Sequence, residues 1–132
     1  MDHKKLQHEH REILKTLQRI KVLGLDSSDS QELLRQLSQI LETHLIEEKQ
    51  FYQLLRDVAG QESPQKVLID FIEKDLEQTS QQALDFCRRY RHGGSGLEFT
   101  IRFTQLYQTL NERMKKEEEF LFPMYESLMA EA

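Results

Sequence analysis

Apolar residues recur along this chain at steps of three and four, in four successive stretches, and polar residues interrupt each stripe. The first stripe runs Leu6, His10, Ile13/Leu14, Leu17, Ile20, and the second Leu33/Leu34, Leu37, Ile40/Leu41, His44, Glu48, Phe51, Leu55. The third runs Leu68/Ile69, Ile72/Glu73, Leu76/Glu77, Ser80, Ala83/Leu84, Cys87. The fourth runs Phe103, Leu106/Tyr107, Leu110, Met114, Glu117/Glu118, Leu121, Tyr125. Such steps gather residues on one face of an α-helix, and the strict alternation that marks a strand is missing.

Glycine and proline divide the stretches. Gly24 opens the first gap, Gly60 the second, and Gly93-Gly94-Ser95-Gly96 forms the third. Asp29 with Glu32, and Ser95 with Glu98, have the spacing of a helix cap and its reciprocal partner. Ser63-Pro64 sets a cap before a proline at the first helical position, where the missing N–H costs nothing. Pro123 is expected to kink or end the last helix, leaving a short helical tail. The pattern predicts helices over about 2–23, 30–59, 64–92 and 96–122, antiparallel because their connections are short.

The interruptions share a height. Counted from the loops, His10 lies 13 residues before position 23 and His44 lies 14 after position 30. Glu73 lies 19 before position 92 and Met114 lies 18 after position 96. Each antiparallel pair agrees to one residue, ~1.5 Å of rise, so the polar positions are expected to form one layer. A buried ionised carboxylate is costly unless it is paired. Glu48, Glu118, and Glu73 or Glu77 have no inward Lys or Arg to neutralise them, and a divalent cation would answer that deficit. His44-x-x-x-Glu48 puts an imidazole and a carboxylate one turn apart on one face, as chelation of a metal requires.

Composition narrows the choices. Charged residues make up 31% and hydrophobic ones 38%, which suits a globular chain, and 132 residues suit a single domain over 1–132. A net charge of −5 without a basic cluster argues against a nucleic-acid partner. The lone cysteine, Cys87, allows neither an internal disulfide nor a thiolate cage. A polar N-terminus, and no apolar run near the ~20 residues that span a bilayer, point to a cytoplasmic protein with no membrane partner.

At these residues the sequence resembles the hemerythrin-like (HHE cation-binding) family over essentially the whole chain. EHREIL surrounds His10, HLIEEKQFYQLL carries His44 and Glu48, and MKKEEEFLFPMY contains Leu121-Phe122-Pro123. The resemblance implies an all-α, up-down-up-down antiparallel four-helix bundle. It also implies that the histidines of the first two helices serve one iron, while two acidic residues bridge a pair. Matching MKKEEEFLFP to HLIEEKQFYQ pairs Glu118 with Glu48 and Met114 with His44. On that reading His10, His44, Glu48 and Glu118 form an intact half-site. The other half departs from the family: Met114 stands at a histidine position and the third helix has no histidine. Glu73-x-x-x-Glu77 has the four-residue step of the missing pair and is the candidate replacement, giving an acid-rich site.

The resemblance thus implies iron, two ions per chain or one, with manganese or zinc as alternatives for an imidazole–carboxylate set. The first functional reading is a non-haem di-iron protein that binds, senses or reacts with oxygen, peroxide or nitric oxide rather than carrying oxygen reversibly. The second is a degenerate module with one metal or none, acting through a protein partner. Whether it is an enzyme stays open, since no nucleophile–base arrangement points to hydrolysis. Glu47 and Glu117 are expected to flank the site, and His3, His8 and His92 to lie outside it. Met114 and Cys87 are expected to fill core space, with Tyr107 a core residue with a wet tip.

Overall fold

Three- and four-residue spacing pays off only if each stripe meets another, and the computed structural model, described over residues 3–24, 27–94 and 96–131, brings the four together. Helix α1 spans His3–Leu23, α2 Ser28–Ala59, α3 Pro64–Arg89 and α4 Gly96–Lys116. A π-helical turn, Glu117–Leu121, then leads directly into α5, Phe122–Glu131. Connections of a few residues make successive helices antiparallel. With α1 also packed on α4, the result is an all-α, up-down-up-down four-helix bundle.

Local chemistry sets the ends. Ser63 caps α3 as its sequence announces, its hydroxyl accepting from the Lys66 N–H at 3.2 Å, with Pro64 at the first turn. The cap of α2 is Ser27 rather than Asp29: the Ser27 hydroxyl accepts from the Ser30 N–H at 3.2 Å. Asp29 then falls in the first turn, where a carboxylate faces the positive end of the helix dipole. The expected Ser95 cap lies outside the described residues. Helix α3 stops at Arg89, three residues short of the expected end. Gly94 lies beneath the Tyr90 ring, where any β-carbon would collide.

Pro123 does not end the last helix. A proline ring crowds the carbonyl four residues back and offers it no N–H. Here the preceding turn widens instead, with the Phe122 N–H donating to the Glu117 carbonyl, and the chain runs on as α5. π-Turns of this kind often accompany functional sites.

The interior is apolar at both ends and polar between. One cluster joins Ile13, Leu17, Leu37, Leu41, Ala83, Phe103 and Met114 with their neighbours. The other joins Leu6, Phe51, Tyr52, Ile69, Ile72, Leu76, Leu121 and Phe122. Between them each helix contributes its interruption: His10 on α1, His44 and Glu48 on α2, Thr79 and Ser80 on α3, and Arg113 and Glu117 on the fourth leg, all buried. Cys87 and Met114 fill apolar core, as expected. Among the described residues, no helix is long and apolar enough to cross a membrane.

Candidate metal centre

Helix periodicity turns His10 inward between Leu6 and Ile13, and His44 and Glu48 inward between Leu41 and Phe51. Glu48, only 1% exposed, sits between the two rings. Its Oε1 lies 2.5 Å from His44 Nε2 and 3.3 Å from His10 Nε2. Ligand atoms of His10, His44 and Glu48 all fall within 4.8 Å of one another. Glu117, fully buried, completes the group, its Oε1 lying 3.5 Å from His10 Nε2.

Outer groups fix how the rings point. His10 Nδ1 meets Glu118 Oε1 at 3.2 Å, and His44 Nδ1 meets Glu9 Oε1 at 2.8 Å. A carboxylate on Nδ1 holds a proton there, so that a metal would be taken by Nε2, the usual support for a metal-binding histidine. Lys5 in turn donates to Glu47 at 2.7 Å on the rim. From the opposite side, the buried Tyr52 hydroxyl donates to Glu117 Oε2 at 3.2 Å.

The electrostatics describe anions in need of cations. Burial works against a charged His10, yet Glu117 and Glu48 raise its pKa from 6.5 to about 10. For Glu48, burial is outweighed by His44 and His10, which hold the carboxyl at about 2. Burial, then repulsion from Glu48, pushes Glu117 up to about 8. Protons on His10 and Glu117 thus offset the negative charge of the layer, and metal binding at such groups displaces them. Two buried carboxylate oxygens, Glu48 Oε2 and Glu117 Oε1, have no hydrogen-bond partner. Unsatisfied buried acceptors beside inward-facing imidazoles are what a cation would satisfy. The donor set fits one.

Several sequence expectations need correction. Glu118 does not join the inner group; its side chain is 33% exposed and reaches only the outer nitrogen of His10. Its neighbour Glu117, expected to flank, is the buried one. The residue four positions before the inner carboxylate is therefore Arg113, not Met114.

Glu73 and Glu77 are not brought into the group either. Ile72 and Leu76 take the inward positions on α3, and the next residue along a helix is rotated by ~100° away from them. Glu73 instead accepts from Arg56 at 2.5 Å beside Asp70, and Glu77 is exposed. At the level of the site α3 presents Thr79 and Ser80, whose hydroxyls donate to carbonyls of their own helix.

An inward basic residue was not expected, yet Arg113 is buried and paired with Asp75 Oδ2 at 2.9 Å. Tyr52 and Glu9 were missed too. Glu9 had a signal: it is one residue from His10 on a helix that meets α2. Tyr107 bonds Gln18 at 2.9 Å at the surface, and His3, His8 and His92 all lie outside the group.

The family model of the hemerythrin HHE cation binding domain matches residues 1–125 of this chain. The chain belongs to the hemerythrin HHE family. Every residue of the inner group, with Arg113 and the outer carboxylates, falls inside the matched span, and His10, His44 and Glu48 form a cluster that could hold a metal ion in this cation-binding type of domain. No curated protein and no solved structure matches the chain.

The geometry separates the two adjacent acids experimentally. Glu118→Gln removes only a support for the His10 ring and should weaken metal affinity by about 10-fold, the scale of an outer-shell loss. Glu117→Gln removes a donor and should weaken it more, as titration calorimetry would measure. Equal effects would reject the distinction.

Proposed function

We propose that this hemerythrin HHE domain binds iron through His10, His44, Glu48 and Glu117, and that its physiological ligand is a small diatomic molecule or peroxide, which it binds, senses or helps to react. The observation that carries this reading is the convergence of two imidazoles and two carboxylates in a buried layer where Glu48 Oε2 and Glu117 Oε1 lack partners. Imidazole with carboxylate suits iron, manganese or zinc better than calcium. Iron, when bound, supplies redox chemistry and Lewis acidity.

The chain's own residues do the rest. Glu118 and Glu9 orient the histidines, Tyr52 holds one oxygen of Glu117, and the apolar clusters above and below keep water away. A low-dielectric surround strengthens every charge interaction in the layer. The sequence alone invites a second reading, a regulatory module with a reduced site, and burial of Arg113 beside the layer favours a reduced metal count without removing the first set of donors.

The test is elemental analysis of protein purified without chelators, paired with its optical spectrum, before and after anaerobic reconstitution with ferrous iron. Iron retained through desalting supports the reading. Protein that stays free of metal after reconstitution rejects it.

A further inference from the structure

The fourth leg repeats the design of α2 with one change. On α2, His44 precedes the inner carboxylate Glu48 by four residues; on the fourth leg Arg113 precedes the inner carboxylate Glu117 by the same step. Both members of each pair are buried. We infer that Arg113 stands in for a second metal ion: its guanidinium is a permanent cation built into the half of the site that lacks histidines, so the domain holds a single metal.

Four observations carry this, and it rests on the metal-binding reading above. First, Arg113 is only 7% exposed, and Nη2 binds Asp75 Oδ2 at 2.9 Å. Its Nε and Nη1 are buried without a hydrogen-bond partner. Asp75 is the acid that meets this enclosed guanidinium, whose charge does not titrate away.

Second, the helix carries that charge toward the site. Arg113 and Glu117 stand one turn apart on the fourth leg and both are buried, and Glu117 in turn accepts from the buried Tyr52 hydroxyl at 3.2 Å.

Third, the donors that a second ion would need are occupied or absent. Helix α3 has no histidine, Glu73 is held by Arg56, Glu77 is exposed, and Asp75 is engaged by Arg113 itself. Thr79 and Ser80, which face the layer, bond their own backbone.

Fourth, the charge balance closes with a single ion. Glu48, Glu117 and Asp75 supply three negative charges, and Arg113 with one divalent ion supplies three positive ones. A second divalent ion would add charge that no further buried carboxylate among the described residues offsets.

The experiment is metal stoichiometry of the full chain, measured by elemental analysis after reconstitution with excess ferrous iron, with electron paramagnetic resonance of the oxidised protein. The expected wild-type result is a single iron per chain with the signal of an isolated high-spin ferric ion. An iron pair coupled through a bridge would be silent. Arg113→His should admit a second iron and suppress the signal, because it frees Asp75 and sets an imidazole one turn before Glu117. Arg113→Lys keeps the charge and should stay at one.

A second iron in the wild type overturns the inference and leaves the metal-binding proposal standing. No iron in any form overturns both. A single iron in both wild type and Arg113→His shows that Arg113 is not what excludes the second ion, and rejects its role. Circular dichroism establishes that each variant is folded, and should the histidine variant fail to fold, the wild-type count and signal still decide.

Discussion

Glu48→Ala abolishes metal retention by the purified protein, an affinity loss larger than the ~100-fold upper range of outer-shell substitutions. The size follows from position. Glu48 is the group that both imidazoles face, at 2.5 Å from His44 Nε2 and 3.3 Å from His10 Nε2, and its second oxygen is buried without a partner. Removing it takes away a donor and the charge that draws a cation into the layer. It also leaves two imidazoles facing each other at a ring separation of 4.9 Å. His44→Ala should act the same way, since it breaks the other arm of the one-turn chelate. Elemental analysis after extensive dialysis is the measurement. Metal content equal to wild type in both variants would reject the assignment of the centre to this layer.

Much of this arrangement was legible in the sequence because its signals are local. Leu6, Ile13, Leu17 and Ile20 fix the phase of α1, and that phase turns His10 inward without reference to any other helix. The same argument holds for His44 and Glu48 on α2. The fourth leg was harder, because three consecutive glutamates, Glu117 to Glu119, look alike and only one faces inward. Matching MKKEEEFLFP to HLIEEKQFYQ by its ends chose Glu118. The stripe Leu110, Met114, Leu121 does not decide between Glu117 and Glu118, since the first lies three residues after Met114 and four before Leu121, and the second four after and three before. The π-turn there, forced near Pro123, adds a phase change that no fixed period captures. On α3 the error had another source. Ile72/Glu73 and Leu76/Glu77 each offered an apolar and an acidic choice, and burial of the apolar one is favoured by desolvation alone. Arg113 was invisible for the same reason: a basic residue is presumed exposed until an acid on a neighbouring helix, here Asp75, is known to meet it.

His10→Ala should destabilise the metal-free protein by about 3–5 kcal/mol, the cost of leaving a buried charge without its partner. In that state His10 is the cation of the inner cluster. It is 1% exposed, lies 3.3 Å from Glu48 and 3.5 Å from Glu117, and stacks on Phe122 at a ring separation of 6.0 Å. The sign of the pH dependence follows from its pKa, which folding raises from 6.5 to about 10. The folded protein therefore holds this proton more tightly than the unfolded chain does. That contribution is fully present below pH 6.5 and is lost as pH rises through about 10. The gap between wild type and His10→Ala should accordingly be widest at mildly acidic pH and narrow toward the alkaline end. Urea unfolding of both proteins in chelator, followed by circular dichroism at several pH values, reads it directly. Should the variant match wild type at every pH, the imidazole carries no charge in the metal-free fold, and another cation must balance Glu48. The remaining buried candidates are His44 and Arg113. His44→Ala in the same chelator series tests the first, because its pKa is also raised by Glu48 against the opposing effect of burial.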